Sequence, residues 1–283
     1  MLLAIDIGNT NITIGIFQQG RGCYIKGPVK IWRLSTDKNR TAEEYGISLL
    51  DLFHYSGIDP EKISGVAAGS VVPSLDGIFA DIATTYFHKK IFFVTGATAT
   101  MLKMRFPNPG EVGADRLCDA VAANAFFGCP SIVIDFGTAT TFDCIDATGA
   151  YRGGAIAPGP GISAESLAAR TAKLPRVDMV KPAKAIGTST VESIQSGLYF
   201  GYVGLVKEIL KRLTAELGGT PAVIATGGLA GLIVPEIKEV KKIVPELTLE
   251  GIRLIFEHSF RHSKVDIVDK AVNNRTKKAG DKK

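Results

Sequence analysis

The sequence predicts an α/β protein made of two duplicated domains that face each other across a cleft. Its opening stretch, Leu2-Leu3-Ala4-Ile5-Asp6-Ile7-Gly8-Asn9-Thr10-Asn11, is an apolar strand that delivers an acid and then a polar glycine turn. The pattern returns at Ser131-Ile-Val-Ile-Asp-Phe-Gly-Thr-Ala-Thr-Thr141, with a constant offset of 129 positions. Asp135 falls on Asp6, Gly137 on Gly8 and Thr138 on Asn9. A third observation is that similar strand and helix patterns follow both copies. A carboxylate in a buried strand is costly unless a cation or hydrogen-bond donors meet it. The turn beside it offers N–H and hydroxyl groups to an anion, with the acid close to the anion's metal. One such unit is compatible with an ordinary hairpin; two indicate a duplicated phosphate site.

Size and composition fit two cores of moderate size, with 46% hydrophobic residues in 283. No apolar run approaches the ~20 residues that cross a bilayer. The N-terminus enters a strand with no basic leader region, so a cytoplasmic protein with no membrane partner is expected. Cys23, Cys118, Cys129 and Cys144 form no C-x-x-C pair and no zinc spacing, and buried reduced thiols are expected. The net charge of +5 resides in residues 261–283, which hold eight basic and three acidic residues. With few apolar residues, this end reads as a disordered basic tail rather than a nucleic-acid site.

Each element has a local reason. After the first hairpin, residues 29–34 read as a third strand. Thr41-Ala-Glu-Glu44 is a capping-box signature for a helix with apolar positions at Tyr45, Leu49, Leu52 and Phe53. Residues 63–68 form a branched, small-residue strand, Pro73 starts a second helix, and residues 91–94 form another strand. This β-β-β-α-β-α-β order resembles a ribonuclease-H-like domain, expected over residues 1–112. Pro107-Asn-Pro-Gly110 marks a loop. A seam helix follows with Leu117, Val121 and Ala125 inward, and a second such domain is expected over residues 113–260. Its pattern comprises three strands, a helix after Pro158-Gly-Pro-Gly161, a long helix, a strand at 222–225 and a closing helix through Leu249, Ile252 and Phe256.

Asp115 is the leading catalytic candidate. It lies in the first turn of the seam helix, where the macrodipole favours the ionised form, and Gly113 permits close approach of a substrate. An ionised carboxylate beside a hydroxyl can accept its proton during phosphoryl transfer. Arg116 could hold an anionic group. The alternative is structural: Asp115 caps the helix and Arg116 pairs with Asp119. No G-x-x-x-x-G-K-[ST] sequence is present, so this is not a P-loop enzyme.

Together these stretches resemble the type III pantothenate kinases of the acetate kinase/sugar kinase/Hsp70/actin superfamily, whose members are built from two actin-like ATPase domains. The resemblance runs from Met1 to about His258. It rests on Asp6-Ile-Gly-Asn-Thr-Asn11, Trp32-Arg-Leu-Ser-Thr36, Arg40-Thr-Ala-Glu-Glu-Tyr45 and Gly113-Ala-Asp-Arg116. Asp135-Phe-Gly-Thr-Ala-Thr-Thr141, Gly153-Gly-Ala-Ile-Ala-Pro-Gly159, Thr190-Val-Glu-Ser-Ile-Gln-Ser-Gly197 and Thr226-Gly-Gly228 extend it.

The resemblance implies transfer of the ATP γ-phosphoryl group to the primary hydroxyl of pantothenate, the first step of coenzyme A biosynthesis. It implies Asp115 as general base, with Phe106, Gly113, Ala114 and Arg116 around pantothenate. Asp6, Ile7, Gly8, Asn9, Thr10, Asn11, Ile12, Thr13 and Thr138 would bind ATP. Asp6 would organise Mg²⁺ through water, and Asp135 would bind a monovalent cation, K⁺ or NH₄⁺. Thr190 would reach pantothenate from a neighbouring subunit, making the protein a homodimer with its active site at the interface. Phe106 stands where many relatives have tyrosine. Other readings are a different small-molecule kinase or phosphohydrolase of the superfamily, or a non-catalytic regulatory relative.

Overall fold

The computed structural model describes residues 1–18 and 27–260. Cys23 and the expected basic tail, residues 261–283, lie outside the described residues.

The first half has the anticipated order. It comprises β1 (Leu2–Ile7), β2 (Asn11–Phe17), β3 (Lys30–Ser35), α1 (Ala42–Tyr55), β4 (Gly65–Ser70), α2 (Pro73–Phe87) and β5 (Ile91–Phe93). These strands form a five-stranded sheet in the order β3-β2-β1-β4-β5. The capping box of α1 is complete: the Thr41 hydroxyl accepts from Glu44 N–H, and the Glu44 carboxylate accepts from Thr41 N–H at 2.8 Å. Between the halves lie β6 (Lys103–Met104) and α3 (Ala114–Phe127).

The second half contains β7 (Ser131–Phe136), β8 (Ala139–Ile145), β9 (Ala150–Pro158), α4 (Pro160–Ala169), α5 (Thr190–Leu217), β10 (Ala222–Thr226), α6 (Ala230–Ile233) and β11 (Val240–Ile243). Residues 247–260 form a last helix, α7. The second sheet runs β11-β10-β7-β8-β9-β6. Its first five strands repeat the first sheet: an antiparallel meander, then two strands parallel to the meander's first. β6 precedes residue 113 in the chain but pairs with β9, so the second sheet takes its edge from the connecting segment.

The repeat changes at one point. Asp6 faces Thr13 across the first hairpin, whereas Asp135 faces Thr141 across the second. The second turn is one residue shorter, so the offset of 129 holds through the acid and the glycine but not into the returning strand.

Three apolar clusters stack through the molecule. Alternate residues of β1 and β2, Leu3, Ile5, Ile7, Ile12 and Ile14, pack outward against α1 and α2. Ile132, Ile134 and Phe136 pack outward against α5 and α6. Between the sheets, α3 and α7 share one core with Leu2, Ala4, Ala67, Val133 and Ile224. The predicted seam helix therefore has a partner. At their crossing, a side chain on Gly251 would lie 2.1 Å from the Cys118 carbonyl oxygen, so only glycine allows this approach. The closing helix is thus a central element; Glu250, buried and paired with Arg253 of the same helix at 2.7 Å, also accepts from the Gly27 N–H at 2.7 Å. Cys118 and Cys144 are buried as expected, while Cys129 is exposed. Among the described residues, no helix is long and apolar enough to cross a membrane.

Candidate active site

The two acid-glycine turns meet at one cleft of about 510 Å³. Asp6 ends the inner face of β1, Asp135 ends that of β7, and Asp115 enters from the first turn of α3; all three line this cavity. Gly8, Asn9, Thr10, Asn11 and Thr13 line it from the first hairpin, and Gly137 and Thr138 from the second. Thr10 Oγ1 and Thr138 Oγ1 share a hydrogen bond of 2.7 Å across the opening. Ile7 and Ile12 point away, with side chains fully buried in the outer core, so their place at the cleft is that of main chain flanking a turn.

Two glycines stand close against these acids. A Cβ on Gly113 would stand 2.5 Å from Asp115 Oδ1. Gly227, at φ +90°, occupies the left-handed region, and a Cβ there would lie 2.3 Å from Asp135 Oδ1.

Arg116 does not pair with Asp119. Its guanidinium meets Asp143 Oδ1, from Nε at 2.8 Å and Nη2 at 2.7 Å. The Tyr151 hydroxyl also donates to Asp143, at 2.7 Å, as does Thr141 at 3.1 Å. Asp119 instead accepts from the Thr248 hydroxyl at 2.8 Å. Nor is Asp115 the helix cap: Gly113 holds that place, and Asp115 Oδ1 accepts from Arg116 N–H at 2.8 Å. Ala114 is buried in the central core. Phe106 packs edge-on against Tyr151, with ring centroids 6.2 Å apart, and so touches the Arg116–Asp143–Tyr151 network rather than the cleft itself. Thr190 opens α5, capped by Ser189, and lines a separate cavity of about 730 Å³ between α4 and α5. The capping box there is half formed: the Ser189 hydroxyl accepts from Glu192 N–H at 3.2 Å, but the Glu192 carboxylate accepts from Thr188 rather than from Ser189.

The cleft holds more acid than base. Burial pushes the Asp6 carboxyl up to about 8, with Asp115 and Asp135 adding to the shift and Arg33 opposing it. Burial, then Asp115 and Asp143, push Asp135 up to about 7. Burial also raises Asp115, outweighing the downward pull of the Arg116 N–H and guanidinium. The helix terminus alone suggested an ionised Asp115; in the folded chain desolvation is the larger effect.

Buried carboxylate oxygens are hard donors suited to Mg²⁺ or K⁺. Among the described residues, however, no three His, Cys, Asp or Glu side chains converge on one ion. A cation here would therefore complete its shell with phosphate oxygens, water and main-chain carbonyls. Arg33, Thr226 and Thr248 also line the cleft without having been assigned a role from the sequence.

The sequence profile described as type III pantothenate kinase matches residues 2–212. The chain belongs to the type III pantothenate kinase family. A type III pantothenate kinase from Endomicrobium trichonymphae is 50% identical over 91% of this chain and 99% of its own length. One from Moorella thermoacetica is 48% identical over 92% of this chain and all of its own. Among solved structures, a Sinorhizobium meliloti protein assigned as a 2-dehydro-3-deoxygalactonokinase aligns with a TM-score of 0.57 at 14% identity, covering 93% of this chain and 96% of that one. At that identity the likeness concerns fold alone: the two-sheet α/β architecture of the actin-like sugar-kinase ATPases, which this member of the family shares.

Proposed function

We propose that this chain phosphorylates the primary hydroxyl of pantothenate with ATP, giving 4'-phosphopantothenate at the start of coenzyme A biosynthesis. Family membership supports the substrates. The observation that carries the chemistry is the convergence of Asp6, Asp115 and Asp135 in one cleft between two phosphate-type turns.

In this reading, ATP phosphates lie along the turn of residues 8–11 and against Thr138, held by N–H groups and hydroxyls. Asp115 accepts the proton of the pantothenate hydroxyl as its oxygen bonds to the γ-phosphorus. The bond from that phosphorus to the β–γ bridging oxygen breaks, and ADP departs. Arg116, oriented by Asp143, and Gly113 position pantothenate, while Phe106 supports that side through Tyr151. Asp6 would hold Mg²⁺ through water, and Asp135 with the main chain around Gly227 would hold K⁺ or NH₄⁺. When bound, these cations neutralise phosphate and carboxylate charge. Thr190 lines another cavity of its own chain, which agrees with its serving a neighbouring subunit's site in a cytoplasmic homodimer.

The test is ADP release measured with and without pantothenate, in K⁺ and again in Na⁺. Pantothenate-dependent ADP release, faster in K⁺, is expected. Release independent of pantothenate identifies a phosphohydrolase instead, and none with ATP and any alcohol identifies a non-catalytic relative.

A further inference from the structure

Arg33 sits on the inner face of β3. The register sets Asp6 opposite Thr13 and Thr13 opposite Arg33, so the three occupy one row on the face of the sheet that forms the cleft. Their neighbours in sequence, Ile5, Ile7, Ile12, Ile14 and Trp32, point the other way into the outer core. The row is fixed in place by the end of β3. Thr36 N–H donates to the Thr10 carbonyl at 3.0 Å, and the Thr36 hydroxyl donates to the Gly8 carbonyl at 2.6 Å. β3 is therefore fastened to the phosphate turn, and its strand spacing of roughly 4.8 Å places Arg33 two strands from Asp6.

The two arginines near this cleft differ. The Arg116 side chain is only 13% exposed and is committed to Asp143. The Arg33 side chain lines the cavity, and among the described residues no hydrogen bond or ion pair joins its guanidinium to another group. Its five N–H donors form a planar fork suited to phosphate oxygens. A cation is also wanted there, because the cleft wall otherwise presents carboxylates to a polyanion.

We propose that Arg33 is the cation that binds the γ-phosphoryl oxygens of ATP and follows that group through transfer. This rests on the kinase reading above and assigns a further catalytic residue within it. As the alcohol oxygen bonds to phosphorus and the bridging oxygen leaves with ADP, charge on the equatorial oxygens is met by the Arg33 fork. The alcohol proton goes to Asp115, and Arg33 exchanges none.

The experiment compares MgATP and MgADP binding by calorimetry, without pantothenate, for the wild-type protein, R33Q and R33K. R33Q is expected to weaken ATP at least about tenfold and ADP less than about threefold, since charge-assisted hydrogen bonds to the γ-group alone are lost. R33K, retaining charge without the fork, should recover part of the ATP affinity. Equal weakening of both nucleotides, or no change in either, overturns the proposal; the second result marks Arg33 as a solvated charge on an edge strand. The readout uses nucleotide alone, so a wild-type enzyme inactive on pantothenate would sink the substrate reading and leave this one standing.

Discussion

Thr10 and Thr138 stand 128 residues apart in the chain, and their hydroxyls share a 2.7 Å hydrogen bond at the mouth of the acid-lined cleft. The contact shows that the duplicated turns converge on one point of space. Two hydroxyls this close can both reach one phosphate group once their mutual bond is exchanged for bonds to it.

Thr138→Val should therefore weaken ATP without unfolding the protein, because Thr138 is exposed at the turn. A hydrogen bond to a charged group contributes about 1.5–3 kcal/mol, so a tenfold or greater rise in the ATP dissociation constant is expected. Calorimetric titration with MgATP reads it, and an unchanged constant would remove Thr138 from the phosphate site.

Asp115→Asn should lower kcat about a hundredfold or more while leaving ATP affinity within about threefold. Burial raises the Asp115 carboxyl, and a general base must be ionised, so wild-type kcat should fall as pH drops through a value above the ordinary carboxylate range. A pH–rate profile for both proteins checks this: the acidic limb belongs to Asp115 only if the variant loses it.

Much of this arrangement was legible in the sequence because it is local. Acid, glycine and polar turn residues are adjacent in the chain, so Asp6 and Asp135 and the hairpins that hold them could be read directly. The α1 capping box is equally local, spanning Thr41 to Glu44. Long-range pairings were not legible. Arg116 has Asp119 one turn away, but its partner is Asp143, 27 residues on, while Asp119 accepts from Thr248. The apolar spacing of Leu249, Ile252 and Phe256 indicated a helix, yet gave no sign that it would enter between the sheets. Gly251 was the available signal, since a glycine inside an apolar helix implies close backbone approach. Arg33 needed strand register, which sequence alone leaves open by one residue.

The raised carboxyls predict how stability responds to pH. Asp6 and Asp135, at about 8 and about 7, hold their protons in the folded chain at pH values where an unfolded carboxyl, near 4, has lost them. The folded state binds more protons between about pH 4 and 8, so its stability falls as pH rises through that window. The Tm of the nucleotide-free protein should decline from pH 5 to pH 8 and level off above. Mg²⁺, K⁺ and ATP together select the ionised carboxyls and should flatten the slope. A Tm that rises over this range without ligands would contradict the electrostatics of the cleft.

Thr190 allows a test of shared active sites that either single variant alone cannot provide. It lines a cavity bounded by α4 and α5, apart from the one holding Asp115, so within one chain the two residues serve different spaces. In a twofold dimer each protomer's Thr190 would complete its partner's site. T190A and D115N homodimers should then both be impaired. Mixing them under conditions that exchange subunits creates heterodimers in which one site carries both substitutions and the other carries neither. With random exchange at equal amounts, about a quarter of all sites become intact. Activity recovering to about that fraction of wild type is the expected result in a pantothenate-dependent ADP-release assay. A mixture no more active than the average of its two parents would show that Thr190 does not serve the partner's site.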